Sequence, residues 1–317
     1  MSSAIAERAQ SRFWLNSQHS SSRSPRVSAS PSPAKRSFME ATQERMACME
    51  VWGGNSATWS TFVVPGLDLW VHNQPYQDNT AGGDVYYLSS CASGRITRLL
   101  LGDVSGHGAE AAPIADRLRT IMRKHVNFVN QDRVVKLVND EFESDSSMGR
   151  FATALIGTWF SSRRRLTLCL AGHPPPLIFR KATGKWSVLD SDNGNSSRPN
   201  MPIGVVEGQD FASTQLTLQS GDMMLAYTDA LFESRTADNE MLLAEGLAEV
   251  ANSLGDPEAP GQLIPRLLEH LRHLHEGNLA EDDVTVLLAR ANSAGVPLSN
   301  SLLAPFRLIG RLFRSQT

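Results

Sequence analysis

Short apolar runs alternate with polar turns along most of the chain, and the spacing of the apolar positions changes from region to region. Residues 84–103 form two β-rich arms around Ser93 and Gly94, which predicts a β-hairpin. Residues 108–128 repeat apolar side chains every three or four positions, which predicts a helix, and a second helix is predicted at 131–143. The first half of the chain therefore mixes antiparallel strands with amphipathic helices.

The second half continues this pattern. Two strands at 151–160 and 165–172 are joined by a polar turn, and a further hairpin covers 177–189. Helices are predicted near 241–253 and 260–275. Because successive strands meet through hairpins rather than through helical crossovers, we expect an α+β fold of antiparallel sheets with helices packed outside them.

The two ends of the chain differ from this central domain. Residues 1–45 are rich in Ser, Pro and Arg and poor in large apolar side chains, so we expect a disordered tail. Residues 48–290 carry the folded domain. Residues 291–317 form a basic tail whose apolar and arginine positions separate into two helical stripes; a helix of this kind lies on an anionic membrane, docks on a partner or packs on its own domain.

Charge and cysteine content narrow the class of protein. Residues 1–36 have a net charge of +5 and residues 291–317 have a net charge of +3. Because the net charge of the whole chain is −3, residues 37–290 have a net charge of −11. An acidic body argues against nucleic acid as the main partner. Three widely spaced cysteines and no apolar run of about 20 residues favour a cytoplasmic protein without disulfides or membrane spans.

The candidate chemistry lies in aspartates at strand ends. A two-residue turn at Ser93 and Gly94 places Asp84 directly opposite Asp103, with Cβ atoms about 5 Å apart. Like charges in this position are destabilising unless a cation neutralises them. Asp229 follows an apolar strand and Asp282 precedes another. If those strands are antiparallel, both aspartates lie at one sheet edge, and oxygen ligands of this kind select Mg²⁺ or Mn²⁺.

Seven segments in order resemble the PPM metal-dependent protein serine/threonine phosphatases, in particular the bacterial SpoIIE/RsbU branch. They cover roughly residues 48–290 and read AGGDVYY, LLGDVSGHG, FATALIG, LAGHPPPLI, MPIG, YTDALFE and EDDVTVLL. The resemblance implies a four-layer α-β-β-α sandwich, two antiparallel sheets flanked by helices. It also implies an enzyme with two divalent cations, Mn²⁺ or Mg²⁺.

The resemblance assigns roles to individual residues. Asp103 would bridge both cations, and the Val104 carbonyl, Asp229 and Asp282 would complete the ligands. Asp84 would bind directly or through water, and Asp283 sits where it could share that role. The resemblance implies that a water held by the cations would attack phosphorus in phosphoserine or phosphothreonine. Asp103 and Asp84 are the catalytic candidates because they would position the cations and this water.

Two positions depart from the family pattern. Tyr87 stands where an acid is common, and Ala230 replaces a usual glycine. Because of these departures, an alternative hypothesis is a catalytically weak or inactive pseudophosphatase that binds phosphoproteins. A third hypothesis is an enzyme that hydrolyses phosphate esters of small metabolites. For an active enzyme of this branch, the substrate would be a phosphorylated regulatory protein such as an anti-sigma-factor antagonist-like domain.

Overall fold

The computed structural model describes residues 42–45, 51–91, 93–106, 108–145, 150–189, 200–255 and 259–295. Within these ranges there are thirteen strands and five α-helices. The predicted basic helix at 291–317 lies outside the described residues from 296 onward, as does most of the predicted disordered tail. None of the described helices is long and apolar enough to span a membrane.

One sheet contains six strands, each antiparallel to its neighbours. In spatial order these are β11 (Thr214–Thr217), β8 (Arg165–Ala171), β7 (Ala152–Phe160), β6 (Ile96–Val104), β5 (Asp84–Ser90) and β2 (Val51–Gly54). We call it the β6 sheet. The predicted hairpin is its centre.

The second sheet, here the β13 sheet, has six antiparallel strands and one added parallel strand. In spatial order these are β1 (Thr42–Arg45), β3 (Thr58–Val64), β4 (Leu67–Gln74), β13 (Val284–Ala291), β12 (Met223–Tyr227), β9 (Leu177–Arg180) and β10 (Lys185–Val188). The exception to the antiparallel prediction is β1, which pairs with β3 in parallel and lies within the predicted tail.

The helices cover the outer faces of the two sheets, which confirms the predicted four-layer sandwich. On the β6 sheet they are α1 (Ala112–His125) and α2 (Gln131–Asp145). On the β13 sheet they are α4 (Leu243–Ser253) and α5 (Leu263–Leu274), after the short α3 (Asp229–Phe232). Both helix pairs were predicted, with ends a few residues off.

Successive side chains along one strand face opposite layers of the sandwich. In β6, Leu99 and Leu101 pack into the core between the sheets, whereas Leu100 packs against the α1–α2 layer. In β13, Leu287 faces the other sheet and Leu288 faces the α4–α5 layer. Because both faces are buried, these strands read as nearly continuous apolar runs.

Candidate metal centre

The β5–β6 hairpin brings two aspartates face to face. Asp84 pairs with Asp103 in the register predicted from the sequence. The connecting loop is held by bonds from Cys91 N to Ile96 O and from Gly94 N to Cys91 O, both 2.8 Å. Asp84 is 2% exposed, whereas Asp103 is partly exposed. The hairpin therefore places two carboxylates together at the end of the inter-sheet core.

The other sheet contributes two more aspartates to the same edge. Strands β12 and β13 are adjacent and antiparallel, as predicted. Asp229 begins α3 two residues beyond β12, and Asp282 lies two residues before β13. Both are therefore at one edge of the β13 sheet, where both are half-buried.

Threonine 228 joins the two sheets at this edge. Its hydroxyl donates to Asp84 Oδ2 at 2.7 Å and accepts from the backbone N–H of Thr285 at 3.0 Å. The backbone N–H of Thr228 also donates to Thr285 O at 3.1 Å. Asp84, on one sheet, is thus fixed against the strand ends of the other.

The clustered aspartates raise one another's pKa values. Burial raises the pKa of Asp84 well above its usual range, and the charges of Asp283 and Asp229 raise it further. Burial also raises the pKa of Asp103, followed by the charges of Asp229, Asp84 and Asp282. The named charges in both cases are negative. A cluster of this kind needs cations to stay ionised at neutral pH.

Glu233 belongs to the same cluster, although the sequence analysis did not single it out. Burial and the charge of Asp282 raise its pKa, while Arg235 lowers it. In turn, burial, Asp282 and Glu233 raise the pKa of Asp229. The sequence signal for Glu233 is its spacing from Asp229, because residues four apart in a helical turn lie on the same face.

Asp283 has a different position from the other acids. It is 3% exposed, and its two oxygens each accept a backbone hydrogen bond of 2.6 Å, Oδ1 from Tyr76 N and Oδ2 from Gly83 N. A Cβ added to Gly82 would lie 2.2 Å from Asp283 Oδ1. Asp283 therefore anchors the segment that leads into Asp84.

Two backbone carbonyl oxygens lie close to Gly83, the residue before Asp84. A Cβ at Gly83 would lie 2.9 Å from Gly106 O and 3.1 Å from Val104 O. Val104 ends β6, and its N–H donates to Gly83 O at 3.3 Å. Glycine at this position avoids a close contact with the carbonyl of Val104, a predicted ligand that follows Asp103 in the chain.

The chemistry of this oxygen set fits hard divalent cations. Carboxylate and carbonyl oxygens without nitrogen or sulfur are typical of Mg²⁺ and Mn²⁺ sites. In the described residues, no group of three acidic, histidine or cysteine side chains is close enough to hold a metal ion as the side chains stand. Bound cations would remove the mutual repulsion of the clustered aspartates.

The side chains at the two positions that depart from the family pattern both pack toward a helix layer. Tyr87 is fully buried against the α1–α2 layer, so it occupies the face opposite to Asp84, whose neighbours Tyr86 and Leu88 belong to the inter-sheet core. Ala230 packs against the α4–α5 layer. An acid three residues after Asp84 would therefore point away from the aspartates.

His173 supports the strand beside Asp103. It is 3% exposed, and its Nδ1 shares a 3.1 Å hydrogen bond with Thr153 Oγ1. Thr153 pairs with Asp103 across β6 and β7. Burial lowers the pKa of His173 to about 3, which keeps the ring neutral at physiological pH. The buried, neutral ring of His173 therefore orders the strand beside Asp103.

Comparison with known proteins adds a family to this geometry. A family model described as Stage II sporulation protein E (SpoIIE) matches residues 93–292. The chain is 25% identical over 213 residues to the phosphoserine phosphatase RsbP of Bacillus subtilis, which is 65% of this chain and 48% of RsbP. It is 22% identical over 259 residues to protein IcfG of a Synechocystis species, which is 72% of this chain and 39% of IcfG. The chain thus spans less than half the length of these two curated relatives.

Solved structures share the fold. The RsbU and RsbW domains of Rv1364c from Mycobacterium tuberculosis align with a TM-score of 0.59 and 29% identity, covering 74% of this chain and 62% of that one. The PP2C phosphatase domain of SpoIIE from Bacillus subtilis, with a fragment of its regulatory domain, aligns with a TM-score of 0.59 and 16% identity, covering 77% and 64%. The architecture is therefore that of PPM phosphatases.

Proposed function

The chain belongs to the SpoIIE family of PPM-type phosphatases, and on that basis we propose that it hydrolyses phosphoserine or phosphothreonine on a regulatory protein with the help of two Mn²⁺ or Mg²⁺ ions. RsbP, to which it is similar, is named a phosphoserine phosphatase. An anti-sigma-factor antagonist-like domain is the type of substrate that we infer.

The observation that carries this proposal is the convergence of acids from both sheets. Asp84 and Asp103 face each other on one sheet, and Asp229 and Asp282 lie at the matching edge of the other. The charges of Asp84, Asp229 and Asp282 each raise the pKa of at least one other member. A structural role alone gives no reason to bring several negative charges together, because their mutual repulsion is destabilising.

Each residue has a distinct role in this mechanism. Asp103, which faces Asp84 across the hairpin, would be the ligand shared by the cations, while Asp229, Asp282 and the Val104 carbonyl would complete the binding. Asp84, held by the hydroxyl of Thr228, would bind directly or orient a coordinated water. When bound, the cations supply a water of lowered pKa for in-line attack and neutralise the phosphoryl oxygens.

One assay tests the proposal. Phosphate release from a phosphoserine protein is measured with Mn²⁺, comparing the wild type with Asp103→Asn and with a control, Asp210→Asn, whose side chain is 95% exposed. We expect loss of activity of at least about a hundredfold in Asp103→Asn only. Equal rates in the wild type and Asp103→Asn would exclude the assignment. Turnover of small esters alone would favour a metabolite phosphohydrolase, and phosphoprotein binding without turnover would favour a pseudophosphatase.

A further inference from the structure

Large apolar side chains on the surface are concentrated in two segments of the chain. Six of them are at least 36% exposed in the described part of the chain, and five lie in two loops, the second of which ends on Leu243 at the start of α4. The five are Met201, Val205, Val206, Met241 and Leu243, and the sixth is Val129 in the α1–α2 connection. Single exposed apolar residues are ordinary, but grouping beside a candidate active site indicates a contact surface.

The first loop, residues 200–206, borders the strand next to Asp103. Ile203 exchanges two backbone hydrogen bonds with Ala152, of 2.8 and 2.9 Å, and Ala152 pairs with Val104. Asn139 of α2 fixes the loop by accepting from Gly204 N at 3.0 Å and donating to Val206 O at 2.9 Å. We call this loop the first rim. The side chains of Met201, Val205 and Val206 are exposed although the backbone of the loop is fixed.

The second loop, residues 234–243, follows Asp229 and is the second rim. Arg235 pairs with Met241 in an isolated bridge, and Asn278 holds the Arg235 backbone with bonds of 2.7 and 2.9 Å. Leu243 is 41% exposed and has a φ of 53°. A leucine in the left-handed region is strained, and strain of this kind is often retained at functional sites.

An arginine lies near the acidic edge beside each rim. Arg150 Nη1 donates to Ser105 O at 3.2 Å, and its Nη2 pairs with the exposed Glu110 at 3.3 Å. Arg235 offsets the raised pKa of Glu233 within the cluster. These two cationic side chains, one just before β7 and the other just after α3, complement the negative charge of a phosphorylated segment.

We propose that the two rims form a docking surface for a phosphoserine segment that has large apolar side chains on both sides of the phosphoserine. This inference rests on the proposed function and specifies its substrate. The first rim lies two strand spacings from β6, about 10 Å. An extended segment covers that distance in about three residues. The apolar side chains of the substrate are therefore expected two to three positions from the phosphoserine.

The test uses two peptides of identical length, each with one phosphoserine. One peptide has leucines two and three positions away on both sides, and the other has serines there. Hydrolysis is measured with Mn²⁺ as kcat/KM for each peptide, and binding is measured by fluorescence anisotropy with the non-hydrolysable phosphonate analogues. The proteins are the wild type, Met201→Ser/Val206→Ser, Met241→Ser/Leu243→Gly and the control Val129→Ser.

We expect the wild type and Val129→Ser to prefer the leucine peptide about tenfold, as is usual for apolar contacts. Each rim variant should lose a large part of that preference. Because the result is a ratio between two peptides on one preparation, partial misfolding does not imitate it. Equal binding of both analogues by the wild type, or an unchanged ratio in both rim variants, would overturn the proposal. Preferential binding without hydrolysis would support the rims and refute the proposed catalytic function.

Discussion

Replacing Asp103 with asparagine should make the metal-free protein more stable while removing its activity. Asp103 faces Asp84 across the hairpin, and the charges acting on its pKa come from other aspartates. Asparagine has nearly the same shape and carries no charge. The substitution therefore removes repulsion without leaving a large cavity in the core.

The magnitude follows from Coulomb's law. Two unit charges about 5 Å apart repel by about 3 kcal/mol at an effective dielectric constant of about 20. Partial protonation of the metal-free cluster, together with the exposure of Asp103 to water and salt, reduces this to about 2 kcal/mol at neutral pH. For a domain of this size, each kcal/mol changes Tm by about 2–4 °C, and the expected increase is about 4–8 °C.

The assay is thermal unfolding in EDTA and again with Mn²⁺, with Asp222→Asn as the matched control. Asp222 is also buried, at 4% exposure, but it accepts from Arg180 Nη1 at 2.9 Å and from two backbone N–H groups at 3.0 Å. Its substitution should cost about 1.5–3 kcal/mol. Mn²⁺ should raise the Tm of the wild type and of Asp222→Asn, and have little effect on Asp103→Asn.

A decrease in Tm for Asp103→Asn in EDTA, similar to that of Asp222→Asn, would refute the reasoning. It would mean that Asp103 is held by favourable contacts and that repulsion within the cluster is not its main energetic effect. An Mn²⁺-induced increase as large as that of the wild type would show that Asp103 is not needed for cation binding.

Three further predictions follow from the same edge. Asp283→Asn should speed amide hydrogen exchange at Tyr76 and Gly83 even without metal, because asparagine cannot accept from both N–H groups; unchanged exchange would contradict the anchoring role. Gly83→Ala should lower both stability and Mn²⁺ affinity, since its Cβ would lie 2.9 Å from a carbonyl oxygen. An Mn²⁺ affinity equal to that of the wild type would contradict this. The ring NMR shifts of His173 should stay constant from pH 5 to 8, because burial lowers its pKa to about 3; titration near pH 6.5 would show otherwise.

The stability of the metal-free protein should also depend on pH. The pKa values of Asp84, Asp103 and Asp229 are raised in the folded chain, so the fold binds more protons than the unfolded chain above about pH 4. Stability from this source should fall as pH rises through the raised pKa values. Denaturant unfolding in EDTA at pH 5 and pH 7.5 measures this, and a smaller difference in Asp103→Asn is the expected control result.

The pairing of Asp84 with Asp103 could be predicted because a hairpin turn fixes the register of both strands. The common edge of Asp229 and Asp282 could be predicted as well, once their strands are taken as antiparallel neighbours. The helix pairs were visible for a similar reason, since their apolar spacing is a local property of the sequence.

Other features depend on contacts that no local pattern encodes. Asp283 anchors Tyr76 and Gly83, which are about 200 positions away, so its role appears only when the two sheets are packed together. Glu233 joins the cluster because a short helix follows Asp229. The parallel strand Thr42–Arg45 lies in a Ser- and Pro-rich context, where composition favours disorder over a strand.

The hydrogen bonds that join the sheets at the acidic edge also bear on how the chain folds. The Thr228–Asp84 bond spans 144 positions, and the Asp283–Gly83 bond spans 200. Contacts of such long range form late, since closing large loops costs entropy before any contact is gained. The pairing of β4 with β13 joins equally distant parts of the chain, so we expect the acidic edge to assemble late in folding, together with that pairing. Mn²⁺ added during refolding should then slow unfolding more than it speeds folding.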